Sequence, residues 1–184
     1  MTGTRELDVV DILTAQHRQI RALLDRLRLD DRDTEQVFDD LVRLLTVHET
    51  AEEEVVHPLA GRARFGAERI VEPRLAEESA AKKALSELRE LGVGHPEFPA
   101  KLAAFRDAVL THAEHEEAEE FELLRRQYSA RELRNMGRSV RRAEALAPTR
   151  PHPGTGVSAL PNRVLGLPLA VLDRLRDVLR DRRH

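Results

Sequence analysis

The 184-residue chain has no cysteine, which removes disulfide frameworks, thiolate metal sites, iron–sulfur clusters and thiol catalysis together. It has no tryptophan, one tyrosine and five phenylalanines, an aromatic content of 3% that is low for a β-sandwich or barrel. No run approaches the roughly 18 apolar residues of a membrane span. No segment alternates with the period of two expected of a half-buried strand. Glu6, Asp8 and Asp11 near the start are unlike the basic and then apolar opening of a secretory signal, so a cytoplasmic protein is expected. A glycine-rich phosphate loop, a Gly-x-Ser-x-Gly elbow and an Asp-x-Asp-x-Asp-Gly calcium loop are also missing.

What is present is charge and helix formers. Charged residues make up 34% of the chain and hydrophobic residues 41%, a balance that argues against disorder and suits helices with long solvated faces. The formal charge of −3 is divided unevenly. Residues 125–184 hold 14 Arg against five acids (+9), which leaves 16 Lys+Arg against 28 Asp+Glu (−12) in residues 1–124. Arginine outnumbers lysine 27 to three, read here as the composition of a high-GC bacterial genome.

Apolar residues recur at helical spacing along most of the chain. Val9, Ile12, Leu13, Ile20, Leu24 and Leu27 mark a first helix, ended by Asp30, Asp31 and Asp33. Asp33 with Gln36 has the form of a capping box and opens a second helix through Val37, Leu41 and Leu45 to about His57, where Pro58 is expected to stop it. A third helix is predicted over about 67–91, with Pro73 as a kink or late start, and a fourth over about 96–128. Ser129 and Glu132 form another capping box ahead of a shorter fifth helix. The expected architecture is all-α: an up-down-up-down antiparallel four-helix bundle with a fifth short helix and a C-terminal amphipathic helix. In domain terms the bundle occupies 6–128 and the short helix 129–146, packing on the bundle. A Pro/Gly linker at 147–163 leads to the amphipathic basic helix at 164–184.

The histidines are concentrated in one pattern. His48 precedes Glu52 by four residues and His112 precedes Glu116 by four, inside a shared His-x-x-x-Glu-Glu motif repeated 64 residues apart. On an α-helix such residues share a face and can reach one ion. A repeated helix pair predicts donors on the first and third helices too. His17, followed by Ile20, Leu24 and Leu27, and Glu78, followed by Ala81, Leu85 and Leu88, occupy matching positions. His17, His48, Glu52, Glu78, His112 and Glu116 would then face one another from four helices. Imidazole and carboxylate without sulfur suit iron, manganese or zinc. Carboxylates on opposite helices can bridge two ions, and buried charge of this density would be prohibitive without metal.

His17, the His48-x-x-x-Glu52 pair and the His112-x-x-x-Glu116 pair, in that order, resemble the hemerythrin-like (HHE cation-binding) proteins over roughly residues 6–128. The resemblance implies a four-helix bundle holding two non-haem iron ions, oxo- or hydroxo-bridged, with manganese or zinc as alternatives. It implies terminal ligation by His17, His48 and His112 and bridging by Glu52 and Glu116. It also implies a small diatomic or peroxide ligand, with peroxide turnover and sensing both open. Family members usually place a histidine on the third helix. The stretch Glu77-Glu78-Ser79-Ala80-Ala81-Lys82-Lys83 has none, and Glu78 is the substitute expected here. A carboxylate-rich centre should stabilise ferric iron and favour reaction with dioxygen or peroxide over reversible carriage.

His57, His115 and Glu119 are candidates for an outer layer of partners. His57 is expected about half a turn away from His48 in azimuth, Glu119 one turn past Glu116 on the ligand side. Glu53, Glu54, Glu117 and Glu120 are read as solvated faces or outer acceptors. Glu54-x-x-His57 has ferritin-like spacing, but positions 109 and 112, three residues before His112 and His115, are Val and His rather than Glu, so that fold is set aside. The arginine-rich tail either covers the acidic body or meets a partner. Asp173, Asp177 and Asp181 and the lack of interleaved aromatics speak against nucleic acid. An alternative to the reactive centre is a non-catalytic metal-binding protein or redox/O2 sensor whose basic tail contacts a partner. The electron donor and oligomeric state stay open.

Overall fold

The computed structural model describes residues 6–27, 33–62 and 67–146. The expected linker and C-terminal helix, and the Asp30–Asp31 end of the first helix, lie outside the described residues. Those described form five helices and no strand. Helix α1 is Val9–Leu27. Helix α2 is built from three stretches: Thr34–Ala51, a π-helical turn Glu52–Val56, and His57–Ala60. Helix α3 is Ala67–Leu91. Helix α4 repeats the construction of α2, with Phe98–His115, a π-helical turn Glu116–Glu120, and Phe121–Gln127. Helix α5 is Ala130–Leu146. No helix among the described residues is long and apolar enough to cross a membrane.

The helix ends differ in how their caps form. Ser129 and Glu132 make the reciprocal box: the Ser129 N–H donates to Glu132 Oε2 at 2.8 Å, and the Glu132 N–H donates to Ser129 Oγ at 3.4 Å. The Asp33–Gln36 box does not form, because the Asp33 side chain caps no N–H and the Gln36 amide donates to Asp40 instead. Pro58 does not stop α2. It follows the π turn, whose wider spacing opens the backbone where proline lacks its N–H. Pro73 sits inside α3 without ending it.

One apolar cluster joins Ile20, Leu24, Phe38, Leu41, Leu88, Phe98, Leu102 and Phe105. These residues come from the C-terminal halves of α1 and α3 and the N-terminal halves of α2 and α4, which an antiparallel bundle brings to the same end. At the other end Leu133, Met136 and Val140, spaced three and four apart on α5, are buried. There α5 packs on α1 and α2, and Gly137 lies so close to the start of α1 that a Cβ would meet the Asp8 and Val9 backbone at 3.0 Å. Burial of each such leucine contributes about 1.5–3 kcal/mol. Between the two apolar ends lies a polar layer.

Candidate metal centre

That layer is built from four helices. α1 supplies His17, α2 supplies His48 and Glu52, α3 supplies Glu78, and α4 supplies His112 and Glu116; all six are buried, Glu52 and Glu116 to 0% exposure. The structure therefore brings together every residue of the expected donor set. His17 Nε2 lies 3.1 Å from His48 Nε2 and 3.3 Å from Glu116 Oε2. His48 Nε2 is 3.2 Å from Glu52 Oε1, and His112 Nε2 is 3.3 Å from Glu116 Oε1. Two groups emerge, His17–His48–Glu52–Glu116 and Glu52–Glu78–His112–Glu116, within each of which one donor atom per residue lies inside 4.8 Å of the others. The groups share Glu52 and Glu116.

The imidazoles are aimed by their outer nitrogens. His17 Nδ1 bonds Glu117 at 2.8 Å, His48 Nδ1 bonds the Gln16 amide oxygen at 2.8 Å, and His112 Nδ1 bonds Glu77 at 3.0 Å. Each ring thus presents Nε2 inward, the arrangement that fixes tautomer and orientation in metal-binding histidines. Glu77 also takes His115 Nδ1 at 3.0 Å and the Arg74 guanidinium at 3.1 Å. Glu117 takes the outer-acceptor role, one of the two readings open to it, whereas Gln16 and Glu77 carry no spacing signal because each bonds a histidine on another helix.

Inside the ring of imidazoles the balance is unfavourable without a cation. Both carboxylate oxygens of Glu52, both of Glu116, and Nε2 of His112 are buried with no aligned hydrogen-bond partner. The contacts of 3.2–3.3 Å to the imidazoles are close approaches without hydrogen-bond alignment. Burial, reinforced by Glu116 and Glu78, holds the Glu52 carboxyl well above its ordinary range. Burial and the neighbouring His17 push His48 down to about 3, so that it stays a neutral donor. For Glu116, burial acts upward but His112 and His17 outweigh it and bring the carboxyl below its ordinary range. Buried, unpartnered carboxylate and imidazole donors fit a first-row cation, which would satisfy all of these atoms at once.

The outer layer departs from the sequence expectation, and both departures trace to the π turns. In each, the N–H five residues on closes the ring: His57 to the Glu52 carbonyl and Phe121 to the Glu116 carbonyl. A π turn acts as one inserted residue and sets everything after it back by about 100°. His57, which regular pitch puts about 180° from His48, is thereby swung to about 80°. It is buried with Nε2 bonded to Glu78 and Nδ1 to Glu120 Oε1, the latter at 2.9 Å. Both partners are carboxylates, so both nitrogens donate. Burial acts to lower this imidazole, but the two bonds overcome it and raise it to about 10. The same offset turns Glu119 outward. Its side chain is 51% exposed, 3.7 Å from Arg74, and Glu120, one residue on, is the carboxylate that is buried. His115 is held by Glu77 at the rim, its side chain 43% exposed. On the outer side of Glu78, Lys82 Nζ lies 3.5 Å from Glu78 and 3.5 Å from Glu49 and bonds Glu53.

Residues 8–124 match the model of the hemerythrin HHE cation binding domain. The chain belongs to that family. An HHE cation-binding domain with a buried His/Glu cluster able to hold a metal is thus what the described residues contain. Among solved structures, the Hemerythrin HHE cation binding domain-containing protein that is the Rv2633c homolog from Mycobacterium kansasii superposes with a TM-score of 0.65 at 18% identity, over 76% of this chain and 88% of that one. At that identity the likeness is one of fold. A protein named DNA nickase from Nostoc sp. (strain PCC 7120 / SAG 25.82 / UTEX 2576) is 24% identical over 143 residues, covering 77% of this chain. The HHE chain spans 40% of that relative's length.

Proposed function

We propose that this HHE protein is a cytoplasmic, non-haem di-iron protein that binds or reacts with dioxygen, peroxide or nitric oxide, with peroxide turnover and sensing both open to such a centre. His17, His48, His112 and Glu78 would each hold one ion, and Glu52 and Glu116, common to both donor groups, would serve both. The observation that carries the reading is the pair of four-donor groups sharing the same two buried glutamates. When bound, an iron pair supplies electron transfer and open coordination positions for a small ligand. The chain's own residues hold the donors in register through Gln16, Glu77 and Glu117. Phe121, stacked on His17 with ring centroids 5.6 Å apart, helps keep water from the imidazole face.

Metal analysis of the purified chain tests this reading. Two iron per chain are expected, with near-ultraviolet absorption that shifts on adding azide or peroxide. Peroxide-dependent gas evolution should be lost in His112→Ala. Absence of metal after metal-replete expression, or a colourless zinc protein from iron-replete cells, would overturn it. One observation favours a second reading, a non-catalytic sensor that signals through its tail: the +9 charge of residues 125–184. Removal of residues 148–184 would then abolish partner binding and leave metal content unchanged. DNA-directed chemistry is no part of either reading.

A further inference from the structure

The internal repeat supplies its own comparison. α1 and α2 correspond to α3 and α4, so that His48 matches His112, Glu52 matches Glu116, and His17 matches Glu78. The residues that close the two π turns match as well: His57 stands five after Glu52 and Phe121 five after Glu116. In one half the donor from the odd-numbered helix is an imidazole, His17, and Phe121 lies flat against it with an interplanar angle of 8°. In the other half the donor is a carboxylate, Glu78, and the matching residue against it is His57, bonded through Nε2 to Glu78 Oε1. Aromatic ring meets ring; hydrogen-bond donor meets acceptor. The brace behind His57 follows the same logic. Glu120 bonds His57 Nδ1 at 2.9 Å, whereas the residue matching Glu120 is Val56, buried and apolar. Neither His57 nor Glu120 belongs to the two donor groups, so the pair acts on the centre through Glu78.

We propose that His57, braced by Glu120, is a positioning residue that fixes Glu78 as a donor and so builds the second cation position, doing for a carboxylate what a third-helix histidine would do by itself. The inference rests on the two-ion reading above. A glutamate side chain has rotamer freedom that is lost when it is held in one position, so a partner that holds it in advance favours binding. Of the contacts at Glu78, the Lys82 ammonium is 40% exposed and offers little restraint, whereas His57 is buried. A carboxylate oxygen has two lone pairs, so Oε1 can accept from His57 while the group still faces an ion. The first position, His17–His48–Glu52–Glu116, has its histidines held from outside by Glu117 and Gln16 rather than by His57 or Glu120.

The test is calorimetric titration of the metal-free full chain with Zn(II), a redox-inert probe, together with metal content after desalting. The wild type is expected to take two ions. His57→Phe should weaken the second by about 10–100-fold, the usual effect of losing a partner that orients a ligand, and leave the first within about twofold. His57→Gln keeps an N–H aimed at Glu78 but loses the brace, and should fall between. Combining His57→Phe with Glu78→His copies the His17–Phe121 pairing into the second half and should restore the second ion. Helicity and melting temperature of each variant separate a folding defect from a binding one. Two tight ions in His57→Phe, equal weakening of both ions, or no recovery in the double variant would overturn the proposal. A wild type that takes fewer than two ions would bring down the two-ion reading, and this inference with it.

Discussion

The two shared glutamates occupy matching places, yet the same substitution at each should shift the metal-free protein in opposite directions. Glu52 has both oxygens buried without an aligned partner, and burial holds its carboxyl above the ordinary range. To fold at neutral pH it must either bear a buried charge or take up a proton. Glu52→Gln keeps the shape and removes that cost. Relief of a buried unsatisfied ionisable group is worth about 1–3 kcal/mol, or roughly 2–12 °C in Tm for a chain of this size. Glu116 is instead held below its ordinary range, with His17 and His112 each 3.3 Å away. Glu116→Gln removes the charge that these imidazoles face and should lower the metal-free Tm by a similar amount. Under saturating metal the two variants converge. Wild type at a hundredfold excess over Kd gains about 2.7 kcal/mol per site, and both variants should lose most of that increment because each glutamate serves both donor groups. Calorimetric melts with EDTA and with added Zn(II) measure all four cases. A Glu52→Gln chain that is less stable without metal, yet keeps the wild-type gain with it, would refute the reasoning.

Three further outcomes follow from the same structure. Metal-free protein should lose a few kcal/mol of stability as pH rises from about 7 to 10. His57 and His112 are raised from 6.5 to about 10 and about 9, so the folded state keeps protons that the unfolded state releases, and a flat Tm across that window would contradict this. Gly137→Ala, which in an exposed helix would gain about 1 kcal/mol, should instead cost about 1–3 kcal/mol in urea melts, because its Cβ meets α1 backbone at 3.0 Å. Ser129→Ala should cost about 0.5–2 kcal/mol by the same assay, whereas Asp33→Ala should cost little because no side-chain cap is formed there.

The contrast between those two caps shows where sequence reading succeeds and where it stops. Both sites carry a residue able to cap and a Glu or Gln three positions on. At Ser129 the Glu132 carboxylate turns back to the Ser129 N–H and hydroxyl, and the box closes. At Asp33 the partner Gln36 finds a carboxylate one turn further along the same helix, Asp40, 3.1 Å away. The pattern specifies an opportunity, and the local competition decides it. At the centre there is less competition. His48 and Glu52, like His112 and Glu116, lie four apart on regular helix that ends where each π turn begins, so constant pitch holds across each pair. Matching apolar spacing was enough to put His17 and Glu78 on the inward faces of α1 and α3.

Beyond Glu52 and Glu116 the pitch changes, and azimuth carried forward at 100° per residue fails for each position that follows. That single offset turns His57 toward Glu78, sends Glu119 to the surface and brings Glu120 inside. The chain does hold a trace of it. Pro58 stands where α2 continues, and a proline is tolerated within a helix when the preceding turn is already widened. The run Glu116-Glu117-x-Glu119-Glu120 offers carboxylates on every side, so composition cannot say which one turns inward. The widened turns begin at Glu52 and Glu116, in each of which both carboxylate oxygens are unpartnered. The irregular backbone and the unsatisfied carboxylates are therefore one construction, in which the turn that distorts the helix is the turn that carries the shared donor and rotates the brace of Glu78 toward the same interior.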